Sequence, residues 1–111
     1  GEIYVGVDFD DTIRDYDTGD VIIPVYEVLR DLQLYGAQLC LYTAREGKDL
    51  VYAEKFCSGI GLDIEHSNYS PLMPQVRKPL FNILLDDRAG LNEALEACKN
   101  LINYIKNKKN V

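Results

Sequence analysis

Histidine is almost missing from this 111-residue chain, where His66 stands alone. A catalytic cysteine would have only that imidazole as a partner, and a histidine-based zinc site has no second ligand of its kind. His66 therefore reads as a loop or strand-end residue. Cysteine is scarce as well. Cys40, Cys57 and Cys98 are odd in number and far apart, and they fall in apolar strand-like or helical stretches. They read as reduced thiols in or near the core of a cytoplasmic protein, not as a disulfide framework. No apolar run approaches the ~20 residues that cross a bilayer, and no secretory leader is expected. Basic residues are outnumbered, with 12 Lys and Arg against 18 Asp and Glu for a formal net charge of −6. Such a balance weighs against holding duplex nucleic acid by its backbone, which Lys and Arg drive. No repeat or low-complexity segment divides the chain, so residues 1–111 are expected to form one domain.

Apolar residues make up 47% of the chain, enough for a core without staples. The run Ile3-Tyr4-Val5-Gly6-Val7 predicts a buried parallel strand over residues 3–8. Residues 11–22 are polar and turn-rich. Pro24 suits a first helical turn. Val25, Val28, Leu29, Leu32 and Tyr35 then recur at helical spacing, and Gly36 suits the C-terminal cap. Ala37–Tyr42 reads as a second strand, about Lys48–Ser58 as a second helix, and Asp63–Glu65 as a short third strand. Residues 67–79 carry three prolines and are expected to be irregular. A strand at 81–85 and a helix from about Gly90 to Asn107 complete the pattern. Strand and helix alternate, which predicts an α/β fold: a Rossmann-like three-layer domain with a central parallel sheet and helices on both faces.

The polar ends of these strands carry the chemistry. Asp8-Phe9-Asp10-Asp11-Thr12 follows the first strand, Thr43-Ala44-Arg45 the second, and Asp86-Asp87 the strand at 81–85; Lys78 precedes that last strand. Carboxylates crowded at the mouth of a buried strand are costly unless something compensates them, and that mouth is where open α/β sheets bind ligands. Acidic strand ends that converge make a hard, oxygen-rich site suited to Mg²⁺.

This series resembles the haloacid dehalogenase (HAD) superfamily of phosphohydrolases. The family pattern is Asp-x-Asp-x-Thr or Val after the first strand, a Thr or Ser after the second, then a Lys or Arg, then a late acidic pair. All four motifs stand here in the family's order and bracket most of the chain. The resemblance implies a Mg²⁺-dependent phosphomonoesterase working through an aspartyl-phosphate. Asp8 would be the nucleophile and the first carboxylate on the metal. Asp10 would be general acid and then base, with its carbonyl on the metal. Thr43 would bind phosphoryl oxygens through its hydroxyl and strand-end N–H groups. Lys78 would offset the carboxylate charge. Asp86 would be a further metal ligand, with Asp87 supporting it from the outer shell. Thr12 is expected to brace the turn after Asp10, and it joins Arg45 as a candidate for substrate contact. Arg45 either meets a second substrate group or pairs with a nearby carboxylate. Asp11 reads as a solvated turn residue.

Family members usually close the site with a cap domain. Here Asp10 to Thr43 holds only a hairpin-sized flap and a helix, and Thr43 to Lys78 holds a helix, a short strand and a loop. Neither gap can fold separately, so the resemblance implies a small capless member with an open site. Such members act on large phosphorylated substrates or close the site by self-association. Arg14 and Tyr16 on the flap, and the loop Asn68–Pro74, are the candidate substrate walls. The substrate is a phosphorylated small molecule or the end of a larger one. A basic rim at Arg45 and Arg77-Lys78 keeps a nucleic-acid strand end open, against the acidic net charge. No membrane partner is expected. The competing readings are a receiver-like signalling module and a phosphate-binding module without turnover. A receiver needs a lone acceptor Asp on the strand before the Thr, and the strand before Thr43 has no acid.

Overall fold

In the computed structural model the first apolar run forms β1 (Tyr4–Val7), with Val5, Gly6 and Val7 all buried. Residues 3–69, 83–86 and 90–109 are described. Lys78 and Asp87 lie outside them, as do residues 70–74 of the candidate substrate loop. The elements that follow are α1 (Ile23–Leu34), β2 (Gln38–Leu41), α2 (Gly47–Gly59), β3 (Ile64–Ser67), β4 (Ile83–Leu85) and α3 (Leu91–Lys109). Among the described residues the strands form one parallel sheet in the order β3-β2-β1-β4. Helices flank it in a three-layer, Rossmann-like arrangement. This is the expected α/β fold. The third strand, expected near Asp63–Glu65, runs slightly later and takes in His66.

The helices form where the apolar spacing places them. On α1, Val25, Val28, Leu29 and Leu32 are buried, and Pro24 occupies its first turn. Gly36, at φ +96, ends it in a conformation that costs a Cβ-free residue nothing. Its N–H reaches the Gln33 carbonyl at 3.0 Å, and the Ala37 N–H reaches that of Leu32 at 3.0 Å. α3 buries Leu95, Cys98 and Ile102 and packs against α1 and β4. α2 buries Ala53 and Cys57 and packs against β3. All three cysteines are unpaired and buried. Burial pushes the Cys57 thiol up to about 12 and those of Cys40 and Cys98 to about 11, so they are packing groups with little thiolate at neutral pH. No helix among the described residues is long and apolar enough to cross a membrane.

Register is what builds a site on this scaffold. Val7 pairs with Leu41 on one side and with Leu85 on the other, and Leu41 pairs with Ser67. The strands therefore finish level. β1, β2 and β3 each then continue their ladder by one residue. Asp8 N–H donates to the Leu85 carbonyl at 2.9 Å, Tyr42 N–H to that of Val7 at 2.8 Å, and Asn68 N–H to that of Leu41 at 2.7 Å. Between β1 and α1 the chain makes a small hairpin. Arg14 bridges Val21 in antiparallel fashion, and Ile22 N–H donates to the Ile13 carbonyl at 2.7 Å. The described residues between β1 and β3 contain no cap domain.

Candidate active site

The level strand ends deliver Asp8, Thr43 and Asp86 to one cleft of about 260 Å³, completed by Tyr42 and Ala44. Three residues singled out from separate stretches of sequence thus meet at the C-terminal edge of the sheet, where parallel α/β folds hold ligands. The Asp8 carboxylate is oriented by its own chain, since Oδ1 accepts the Phe9 N–H at 2.8 Å.

Thr43 is held from two sides. Its Oγ1 accepts the Arg45 N–H at 3.1 Å, and its N–H donates to Asn68 Oδ1 at 2.9 Å. As an acceptor, the hydroxyl keeps its own proton to donate. The Thr43 backbone N–H is committed to Asn68, so among the strand-end N–H groups lining the cleft that of Ala44 follows directly. Asn68 is a residue whose role the sequence did not reveal beyond membership of a loop. It sits at φ +54, a left-handed conformation that asparagine tolerates better than most residues. An Asn directly after a strand was the available signal; its partner 25 residues away was not.

Asp10 faces a different neighbour. Arg45 donates from Nε to Oδ2 and from Nη2 to Oδ1, each at 2.8 Å, a bidentate pair. Of the two readings of Arg45, the structure shows the ion pair. The guanidinium is also stacked, with Cζ 5.0 Å from the Phe9 ring centroid and 5.6 Å from that of Tyr52. The Arg45 hydrogen bonds hold the Asp10 carboxyl below its usual value of 3.8; partial burial opposes this, and the charges of Arg45 and Arg14 add to it. A carboxyl depressed in the folded state contributes stability that is full above its unfolded value and is lost as pH falls through the folded one. The side chains of Arg45 and Asp10 are 18% and 31% exposed, so solvent limits the contribution to about 1 kcal/mol or less. Arg45→Met should raise the Asp10 titration midpoint, read by carbon NMR of the carboxyl. Its stability deficit should shrink as the solution is acidified through the window below 3.8. An unmoved midpoint would show that the pair does not form in solution.

Around this pair the flap is tightly turned. Asp11, exposed at φ +58, accepts the Tyr16 N–H on Oδ1 at 2.9 Å, as befits the turn residue expected there. The bonds that close the turn join Arg14 N–H to the Phe9 carbonyl and Asp11 N–H to the Arg14 carbonyl, and neither takes up the Asp10 carbonyl. Thr12 is wholly buried. It braces the turn, and a side chain with no exposed surface cannot contact substrate, which removes it from the substrate candidates. His66 lies on β3 with its ring 5.1 Å from that of Tyr69. Among the described residues no three His, Cys, Asp or Glu side chains stand close enough to hold a metal. Asp8 and Asp86 share the cleft, the Asp10 carboxylate is bound to Arg45, and Asp87 is outside the described residues.

No protein-family model and no curated protein matches the chain. A solved structure does. It is a conserved protein from Bacteroides thetaiotaomicron, 30% identical, with 90% of this chain and 92% of that one aligned at a TM-score of 0.75. The chain belongs to the family of that conserved protein. Membership fixes the fold across nearly the whole length, so the strand-end cleft sits on a shared scaffold. The chemistry rests on the residues of the cleft.

Proposed function

We propose that this chain is a Mg²⁺-dependent phosphomonoesterase of the HAD type, acting through an aspartyl-phosphate at an open, capless site. The observation that carries this reading is the meeting of Asp8, Thr43 and Asp86 in one cleft at the sheet's C-terminal edge. The order of the motifs along the chain supports it.

The donors fit the ion. Asp8 and Asp86 supply hard anionic oxygens, the Asp10 carbonyl is not consumed by the turn-closing bonds, and Asp87 follows in sequence. Such a set suits a small cation that keeps several waters. When bound, Mg²⁺ neutralises charge on the phosphoryl oxygens. The protein groups do the rest. An Asp8 carboxylate oxygen forms a bond to phosphorus as the bond to the leaving oxygen breaks, and that oxygen takes a proton from Asp10. Water then attacks the same phosphorus and gives a proton to Asp10, while the Asp8–phosphorus bond breaks and phosphate departs. The Thr43 hydroxyl and the Ala44 N–H donate to phosphoryl oxygens. Lys78, by the family pattern, offsets the negative charge. The Arg45 pair holds Asp10 ionised, which suits the base half of the cycle; the acid half requires that pair to open. The buried, unpaired cysteines support a reducing, cytoplasmic setting.

The test is release of phosphate from para-nitrophenyl phosphate. We expect activity with Mg²⁺ that falls by about tenfold or more on chelation. Activity that survives thorough chelation would overturn the metal requirement. Saturable phosphate binding without release from any phosphomonoester would replace the enzyme by a binding module.

A further inference from the structure

Among the described residues Arg14 is a guanidinium that forms no ion pair, although its charge is felt by Asp10 and Asp15. Its Nε is buried and bonded to nothing. The carboxylates near it are already engaged. Asp10 is bidentate to Arg45. Asp15 Oδ1 accepts the N–H groups of Asp17 at 2.9 Å and Thr18 at 3.0 Å. The Arg14 guanidinium does not dangle. Its Cζ lies 5.6 Å from the centroid of the Tyr52 ring, the same ring that Arg45 approaches to 5.6 Å. Gly19, at φ +80, leaves room for it, because a Cβ there would stand 3.2 Å from Arg14 Nη2. The hairpin therefore holds this guanidinium in place and desolvates its inner nitrogen with no acceptor in return. A buried donor left unmatched is costly. The outer nitrogens retain the planar fork that grips phosphate or carboxylate oxygens. Tyr52, 46% exposed, adds an aromatic surface beside them.

We propose that Arg14 anchors a second oxyanion subsite on the flap, next to the Arg45–Asp10 pair with which it shares the Tyr52 ring, selecting phosphomonoesters that carry a further phosphate or carboxylate group. This rests on the phosphatase reading for the first phosphate, and the recognition of the second anion is separately measurable.

The substrates compared are phenyl phosphate, para-carboxyphenyl phosphate and para-phenylene bisphosphate. The wild type should prefer one or both doubly anionic compounds, by kcat/KM, over phenyl phosphate. In Arg14→Gln that preference should fall by about tenfold, chiefly through KM, the size expected for losing a charge-assisted hydrogen bond. Loss for the bisphosphate alone assigns a phosphate subsite, and loss for both assigns a general oxyanion subsite. Arg14→Lys keeps the charge and loses the fork; it should weaken the preference less, and it carries the test if the Gln variant does not fold. Binding without turnover is read from the Arg14 Nε–H resonance on titration with phenylphosphonate and para-phenylene bisphosphonate. Only the latter should shift it strongly. A wild type that hydrolyses all three substrates without preference, or an Arg14→Gln variant that slows them equally, would overturn the subsite and leave the phosphatase standing. Absence of turnover with an Arg14 shift specific to the bisphosphonate would do the reverse.

Discussion

Asp8→Asn should yield a folded protein that has lost phosphatase activity by about a thousandfold or more, as expected on removing a covalent nucleophile. An amide oxygen does not attack phosphorus as a carboxylate does. The same amide oxygen can still accept the Phe9 N–H that Asp8 Oδ1 now takes at 2.8 Å, so the turn after β1 keeps its local bond. Removing one charge from a sheet edge that also presents Asp86 should not weaken the apo protein. Phosphate release and thermal melts on the two proteins check both halves. Activity within tenfold of wild type would exclude Asp8 as the nucleophile, while loss of the folded state would make the variant uninformative about chemistry and assign Asp8 a structural role instead.

The largest stability effect is expected next door. Phe9 is completely buried between the two acids of its motif. Its ring meets Phe56 edge-on at 5.5 Å and Tyr52 at 6.5 Å, and it carries the Arg45 guanidinium at 5.0 Å. Phe9→Ala removes the hub of this cluster and leaves a cavity where α2 meets the first motif. Comparable truncations cost about 3–5 kcal/mol, a large share of the roughly 5–15 kcal/mol that holds a domain together. Urea unfolding should show the loss as a lower midpoint. A cost under about 1.5 kcal/mol would mean that the cluster repacks and that its aromatic contacts are incidental.

Much of this architecture was legible because burial writes periodicity into the chain. β1 was expected over residues 3–8 and spans Tyr4–Val7; α2 was expected from Lys48 to Ser58 and spans Gly47–Gly59. β1 carries a strong apolar signal; α2 carries a weaker one, with Ala53 and Cys57 buried, and glycines mark its two ends. β3 was placed less well, because it lies at one end of the described sheet and includes Glu65, His66 and Ser67, with no fully buried residue to mark it. The cleft residues were legible for a related reason, since polar side chains directly after buried strands stand out. Pairings were not. Arg45 and Asp10 are 35 residues apart, and Thr43 and Asn68 are 25 apart. Composition names the groups able to bond, but only the folded register chooses among them. The unmatched Arg14 was visible in sequence merely as a residue of the flap.

The extra ladder bonds after β1, β2 and β3 set one side of the site apart from the flap. Asp8, Tyr42 and Asn68 are fastened by bonds that belong to the sheet itself, so this side yields only when the sheet opens. The hairpin from Ile13 to Ile22 is anchored at its ends, where Ile13 is buried in the core and Ile22 packs against it. Only its tip at residues 15–20 is closed by its own turn bonds; exposed tips of this kind open at a fraction of the global unfolding free energy. Under the proposed reaction, the groups that meet phosphorus would be fastened by the sheet, while the second anion would be met by Arg14 on the flap. Substitutions in the flap should then alter the choice of substrate more than the rate of the proposed phosphoryl step.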